Sequence, residues 1–329
     1  MKFLKKSAGL SIPIILIVLP AVAWINHQAI YDWWQLRDYR PSAPISALAT
    51  ADKMTDRARN IFYVNHPQLV DDIKKFRSSC AFGEQTIILG CYHSNQAGIY
   101  IYNVHDMRLG GIQEVTSAHE MLHAAYDRLS KKQRQTIDAL LVDFYKHGLV
   151  DQRIKDTIAD YKKTEPNDVE NEMHSVFGTE IAVLPSALEN YYKQYFIDRA
   201  AIAAFSAKYE SEFTSRSAKA HSYENQLGTL KQKIDNEESS LKSFSARIES
   251  ERLHLDSLRN DNKIDEYNTA VSSFNSQVDD YNFRVGSYKK DVADYNSLLE
   301  QYNQVAGELS TLFDSIDTRL GTKPMKESD

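Results

Sequence analysis

The sequence predicts a mainly α protein: a helical domain carrying a small antiparallel sheet, followed by a long antiparallel coiled-coil hairpin. Three observations carry this. From Ile202 onward apolar residues recur by alternating steps of three and four; upstream, several shorter stretches repeat them at helical spacing; and two Ile- and Tyr-rich runs are separated by the turn-type segment "HSNQAG". A chain of 329 residues has room for one full domain and a second unit of comparable size. Its net charge of −6, with no dense Lys/Arg stripe, excludes the electrostatic footprint of a nucleic-acid binder.

After Lys2, Lys5 and Lys6, no charged residue occurs until Asp32, a stretch long enough to cross roughly 30 Å of hydrocarbon as a helix. Positive charge before it and none just after predict an N-inside anchor over residues 1–35, with Trp24, Trp33 and Trp34 marking the outer interface. "AVA" at 21–23, just after Pro20, also fits a signal-peptide cleavage site, which would give a secreted or periplasmic protein. Both readings export the rest of the chain. In that setting Cys80 and Cys91 would pair as a disulfide, worth about 3 kcal/mol for a loop of this size. The absence of any N-x-S/T sequon favours a bacterial setting.

Residues 36–48, with two prolines, read as a linker at the start of a globular domain spanning 36–200. Apolar spacing predicts helices over 50–66 and 66–78, then a hairpin of strands over 85–92 and 98–105. The second strand leads through Gly110 and Gly111 into a helix containing "SAHEMLHAAYDRL", followed by helices at 131–147, 151–163 and 168–177 and a long one from near Ser186.

Residues 201–321 read as the coiled coil, with Val mostly at one core position and Tyr or Phe at the other in its last third, and 322–329 as a disordered tail. At "RNDNK" (259–263) the register slips, so the chain is expected to reverse about Asp261, setting Leu258 against Ile264, Phe244 against Val278 and Ile202 against Leu320. Such a hairpin would be about 85 Å long at 1.5 Å per residue. Glu237, Glu251 and Arg216 fall on its core positions and would form its weak layers.

The chemistry concentrates at His119-Glu120-x-x-His123. Residues four apart share one helix face, so both imidazoles can reach one ion, while Glu120, rotated by about 100°, stands beside them as a base. A catalytic site needs a third protein ligand and an open corner. The segment "VENEMHSVFGTE" (169–180) is the best supplier, and Glu170, Glu172, His174 and Glu180 are its candidate ligands.

These residues resemble the zincin metallopeptidases, and within them the gluzincins: His119-Glu120-x-x-His123 together with Asn171-Glu172-x-x-Ser175, which is like the N-E-x-x-S stretch of thermolysin-like enzymes. The resemblance spans about residues 85–180. It implies a zincin-like α+β catalytic domain, Zn2+ held by His119, His123 and Glu172, and Glu120 as general base in peptide-bond hydrolysis. An oxyanion donor is expected among His174, Tyr126, Tyr191 and Tyr192, and "GIYIYNV" (98–104) would be the edge strand that binds substrate. The expected partners are a peptide or protein substrate, the membrane through the N-terminal helix, and a cell-envelope protein on the coiled coil. The competing function is a noncatalytic envelope scaffold with a structural or vestigial zinc site; a zinc hydrolase acting on cell-wall peptides is a third.

Overall fold

In the computed structural model, which describes residues 22–80 and 87–319, the first element is helix α1 (His27–Leu36). Helix α2 (Ala43–Ala51) then occupies ground that the two prolines had marked as linker. Pro44 lies in its first turn, where the fixed proline φ suits a helix and the missing N–H is not needed, and Ile45, Leu48 and Ala49 are buried. Helix α3 (Asp56–Val64) starts at Thr55, whose hydroxyl accepts the Ala58 N–H at 3.2 Å.

The stretch expected as one helix over 66–78 divides into strand β1 (Gln68–Val70) and helix α4 (Ile73–Ser79). Strands β2 (Gly90–His93) and β3 (Gly98–Tyr102) form the expected antiparallel hairpin, with Cys91 opposite Tyr100. On the far side of β3, β1 runs parallel, with Leu69 opposite Ile101. The sheet order is therefore β1-β3-β2 and the sheet is mixed, not purely antiparallel. Three residues are too few for periodicity to declare a strand; the pairing is non-local, extended by the Asn103 N–H donating to the Val70 carbonyl at 2.9 Å.

Helices α5 (Ile112–Asp127), α6 (Lys131–His147), α7 (Gln152–Thr164) and α8 (Val169–Glu180) lie close to where the spacing placed them. Ser130 and Gln133 cap α6 reciprocally, each side chain meeting the other's backbone N–H. The long helix expected from Ser186 is broken: α9 (Ser186–Tyr192) stops, and α10 begins only at Arg199. Between them Tyr195 accepts the Thr55 N–H and the Ile197 N–H donates to Lys53, at 2.9 and 2.8 Å, which pulls the backbone out of helix.

Helices α10 (Arg199–Asn260) and α11 (Ile264–Ile316) complete the fold. The chain divides into two compact units, one running to Ser211 and resuming at Asp314, the other comprising Glu212–Phe313, so the division lies past position 200. In the first unit α5 packs against α8, both hairpin strands, α2 and α3. Its core gathers Ile99, Ile101, Met121, Leu122, Phe177 and Tyr192 around that helix.

The second unit is the antiparallel hairpin. Its turn centres on Asn262, at φ +60°, a conformation asparagine tolerates better than most residues. The partners shift accordingly: Phe244 packs edge-on against Tyr281 with ring centroids 5.8 Å apart, and Lys233 meets Asp291 at 2.7 Å. Arg216 is held by Glu212 and Glu308 at 2.7 and 3.1 Å, so that weak layer carries its own counter-charges. Towards the end of α11, Val305 and Leu312 are buried, and Phe313 lies half-exposed against Phe213.

Among the described residues no helix is long and apolar enough to cross a membrane. Most of the expected anchor (residues 1–21), the tail at 322–329 and Leu320 lie outside the described residues.

Candidate metal centre

Helix α5 brings His119 and His123 onto one face, one turn apart, with their Nε2 atoms 3.0 Å from each other. Helix α8 supplies the third group. Glu172 Oε1 lies 3.4 Å from His123 Nε2, and Oε2 lies 3.7 Å from His119 Nε2. These three residues form a cluster that can hold a metal ion. The spacing fits a small tetrahedral ion: ligand atoms about 2.0–2.1 Å from a zinc stand about 3.3 Å from one another. Burial, reinforced by the neighbouring His123 and His174, holds His119 well below the usual histidine range, so its ring is neutral and its lone pair free for coordination.

Two glycines make the approach of these elements feasible. A Cβ on Gly178 of α8 would collide with Leu122 Cδ1 and come within 2.8 Å of Tyr192 Cε1, so only glycine lets α8 pack this closely on α5. On β2, a Cβ at Gly90 would lie 2.6 Å from Thr116 Cγ2 and 2.7 Å from Glu120 Oε1. The bare backbone there leaves the volume that the Glu120 side chain fills. Neither glycine announced itself in the sequence, since a close approach between distant segments has no local signature.

The competitors of Glu172 are placed elsewhere. His174, two positions along α8, turns into a nest of tyrosines: its Nε2 is 2.9 Å from the Tyr191 hydroxyl, and the rings of Tyr126 and Tyr192 lie 5.4 and 5.5 Å away. Burial, then the nearby His123, pushes it down to about 3, so it is a neutral core histidine. Glu180 pairs with Arg153 at 2.7 Å. Glu170 is outside the cluster and adds negative potential at Asp138.

The cluster opens onto a cleft of about 470 Å³ lined by residues 87–94 of the hairpin, the exposed side of α5, and α8. Of the four expected oxyanion donors, none lines it. Tyr126 donates to Asp138 at 2.8 Å and Tyr192 to the His174 carbonyl at 2.6 Å. The hydroxyl-bearing residues that do line the cleft include Tyr92, Tyr161 and Tyr209. Tyr209 lies inside the 201–321 range read as coiled coil; heptad spacing alone cannot distinguish a seam residue from one facing another domain element.

Substrate-strand geometry also differs from expectation. Strand β3 ("GIYIY") is central, paired on both edges, whereas β2 is one of the two edge strands and its residues line the cleft. Cys91 of β2 is bonded to Cys80 at the end of α4, as the cysteine count implied, with Cα atoms 5.8 Å apart. The bond ties the edge strand to a small apolar cluster with Val70 and Phe76.

No protein-family model matches this chain, and comparisons with curated proteins and with solved structures find no match either.

Proposed function

We propose that the protein is a zinc metallopeptidase acting outside the cytoplasm. The observation that carries this reading is the cluster of two imidazoles and one carboxylate, 3.0 to 3.7 Å apart, at the wall of a cleft that Glu120 also lines. His119, His123 and Glu172 would be the ligands. A zinc ion held there would polarise a substrate carbonyl and lower the pKa of a water molecule toward 7. Glu120 accepts the proton of the attacking water and returns it to the departing amine, and needs no covalent intermediate to do so. Gly90 keeps the Glu120 carboxylate in position by leaving β2 without a side chain at that point.

The substrate is a peptide segment in extended form. Strand β2 is an edge strand whose residues line the cleft, the position at which an extended chain would add as a further strand. Asp127, Glu165 and Asp168 line the same cleft, and among its described lining residues there is no lysine or arginine, which supports a preference for peptides carrying basic side chains. The Cys80–Cys91 disulfide supports an oxidising compartment, and the uncharged N-terminal stretch supports attachment to the cell membrane or processing as a signal peptide. The hairpin is the surface on which a cell-envelope partner would dock.

Metal analysis and hydrolysis of a basic-residue-rich peptide library, for the native chain and for Glu120→Gln, test the reading. Expected is one zinc per chain in both, with hydrolysis by the variant reduced by about 10²–10⁴-fold. Zinc bound but native hydrolysis absent would transfer the protein to the scaffold class, with its zinc structural.

A further inference from the structure

Helix α1 is inside out. An amphipathic helix on a water-soluble surface turns its apolar stripe inward. Here the inward face is mostly polar: Gln28, Tyr31, Asp32 and Gln35 are buried or half-buried, with Leu36 the one aliphatic side chain among them, while Ile30, Trp33 and Trp34, at helical spacing i, i+3 and i+4, are 51, 66 and 56% exposed. Asp32 is the most buried residue of the helix. Arg128, at the end of the metal-cluster helix α5, grips it with two parallel hydrogen bonds of 3.0 Å each. Gln28 bonds both Asp32 and Gln96 of the β2–β3 turn, at 2.7 and 2.9 Å.

A charge-assisted clamp that spends the polar face inward and leaves two tryptophans outward is suited to a surface that does not end in water. We infer that the outer face of α1 lies in the headgroup boundary of a lipid bilayer, with the helix parallel to the membrane plane. Three observations select lipid as the occupant. Tryptophan is the residue that favours the hydrocarbon–water boundary. The outer face carries no ionised side chain between Ala29 and Trp34. And the chain entering α1 is the uncharged stretch that begins after Lys6 and is long enough to cross hydrocarbon. At Asn26 the helical turn of residues 22–25 gives way to α1, with Asn26 at φ −103° and ψ 12°, a break that allows a change of direction. Without one, Trp33 would stand about 14 Å above Trp24 along the helix axis. Lying flat, α1 fixes the height of everything bound to Asp32 and Gln28. The β2–β3 turn and the end of α5, which flank the cleft, are thereby held at the bilayer surface, and chain segments close to the membrane are what the cleft meets. The inference stands whether or not the cleft hydrolyses peptides.

The chain has three tryptophans, all in this region, so indole fluorescence reads this surface alone. The full chain is reconstituted in phosphatidylcholine vesicles as Trp24→Phe/Trp34→Phe, leaving Trp33, and as Trp24→Phe/Trp33→Phe, leaving Trp34. Each retained indole is expected to be quenched at least twofold by lipids brominated near the headgroup, less by lipids brominated near the chain end, and to be shielded from aqueous acrylamide. Full acrylamide quenching with no response to brominated lipid would place the face in water and overturn the inference. Shielding from both quenchers would overturn it in favour of a protein occupant, either a second copy or another chain.

Discussion

Twelve of the sixteen residues of α5 are buried, Ser117, Glu120 and His123 among them, whereas along α11 only Asp291, Val305, Leu312 and Ile316 are, and the seam from Val271 to Tyr302 stays half-exposed. Both are regular helices. They differ in how many sides are covered: α11 meets one partner and writes a single apolar stripe, while α5 is enclosed by helices and sheet and has no stripe to write. A helix enclosed in this way can place polar groups where water does not dilute their electrostatics, which is what a metal cluster requires. The hairpin, by contrast, tolerates Arg216, Glu237 and Glu251 on its seam because each lies half-buried and within reach of solvent.

Metal removal separates the two regions most strongly. If zinc joins α5 to α8, stripping it removes a cross-link from the first unit only. With free metal a thousandfold above its dissociation constant, the bound ion contributes about 4 kcal/mol to that unit. Hydrogen exchange after chelation should accelerate across Ile112–Asp127 and Val169–Glu180 and remain unchanged across residues 212–313. Uniform acceleration, or none, would sever the link between the cluster and the stability of α5.

The same substitution at two glycines should then change sign. Gly178→Ala places a methyl against Leu122 and Tyr192, an overpacking that costs about 1–3 kcal/mol. Gly286→Ala, in the middle of α11 with nothing within 4 Å of the added carbon, should gain about 0.5–1 kcal/mol from helix propensity alone. Chemical denaturation followed by exchange in each unit checks both. A neutral Gly178→Ala would mean that α8 can back away from α5 without loss, and that the 3.4 Å approach of Glu172 to His123 is not enforced by packing.

What the sequence disclosed follows the same division. His119, Glu120 and His123 were legible because i and i+4 on a helix is local geometry, and the long hairpin was legible because its partner repeats every turn. Glu172 came from resemblance rather than from pattern, and the structure brings it, not His174 or Glu180, to the two histidines. Strand β1, helix α2, Gly90, Gly178 and the role of Tyr209 were not legible: each is decided by a segment far along the chain. The reversal point fell at Asn262 rather than Asp261 because a repeat fixes which residues share a face but not which one adopts a left-handed turn.

The smallest contrast concerns two buried aspartates. In the hairpin, Asp291 meets the Lys233 ammonium at 2.7 Å. In the first unit, Asp52 is fully buried behind α5 and its closest partner is a hydroxyl, Ser117 Oγ donating at 2.5 Å. Burial raises Asp52 well above the ordinary value of 3.8, more than Ser117 and Arg59 lower it. The unfolded chain therefore releases this proton near pH 3.8, while the folded chain keeps it to higher pH. From this group, stability is fully present below 3.8 and declines as pH rises until the folded carboxyl ionises, by about 1.4 kcal/mol for each unit separating the two values. Asp52→Asn cannot ionise and loses that slope while keeping an oxygen for Ser117. Relative to the native chain, the variant should gain stability between pH 4 and pH 8 in denaturant titrations of the first unit. The corresponding change at Asp291, whose lysine is 60% exposed, should cost under about 1 kcal/mol and shrink as salt is added. A native chain whose stability rises steadily with pH, with Asp52→Asn running parallel to it, would show that Asp52 is ionised in the folded state, and that the interior behind the metal cluster is wetter than its burial implies.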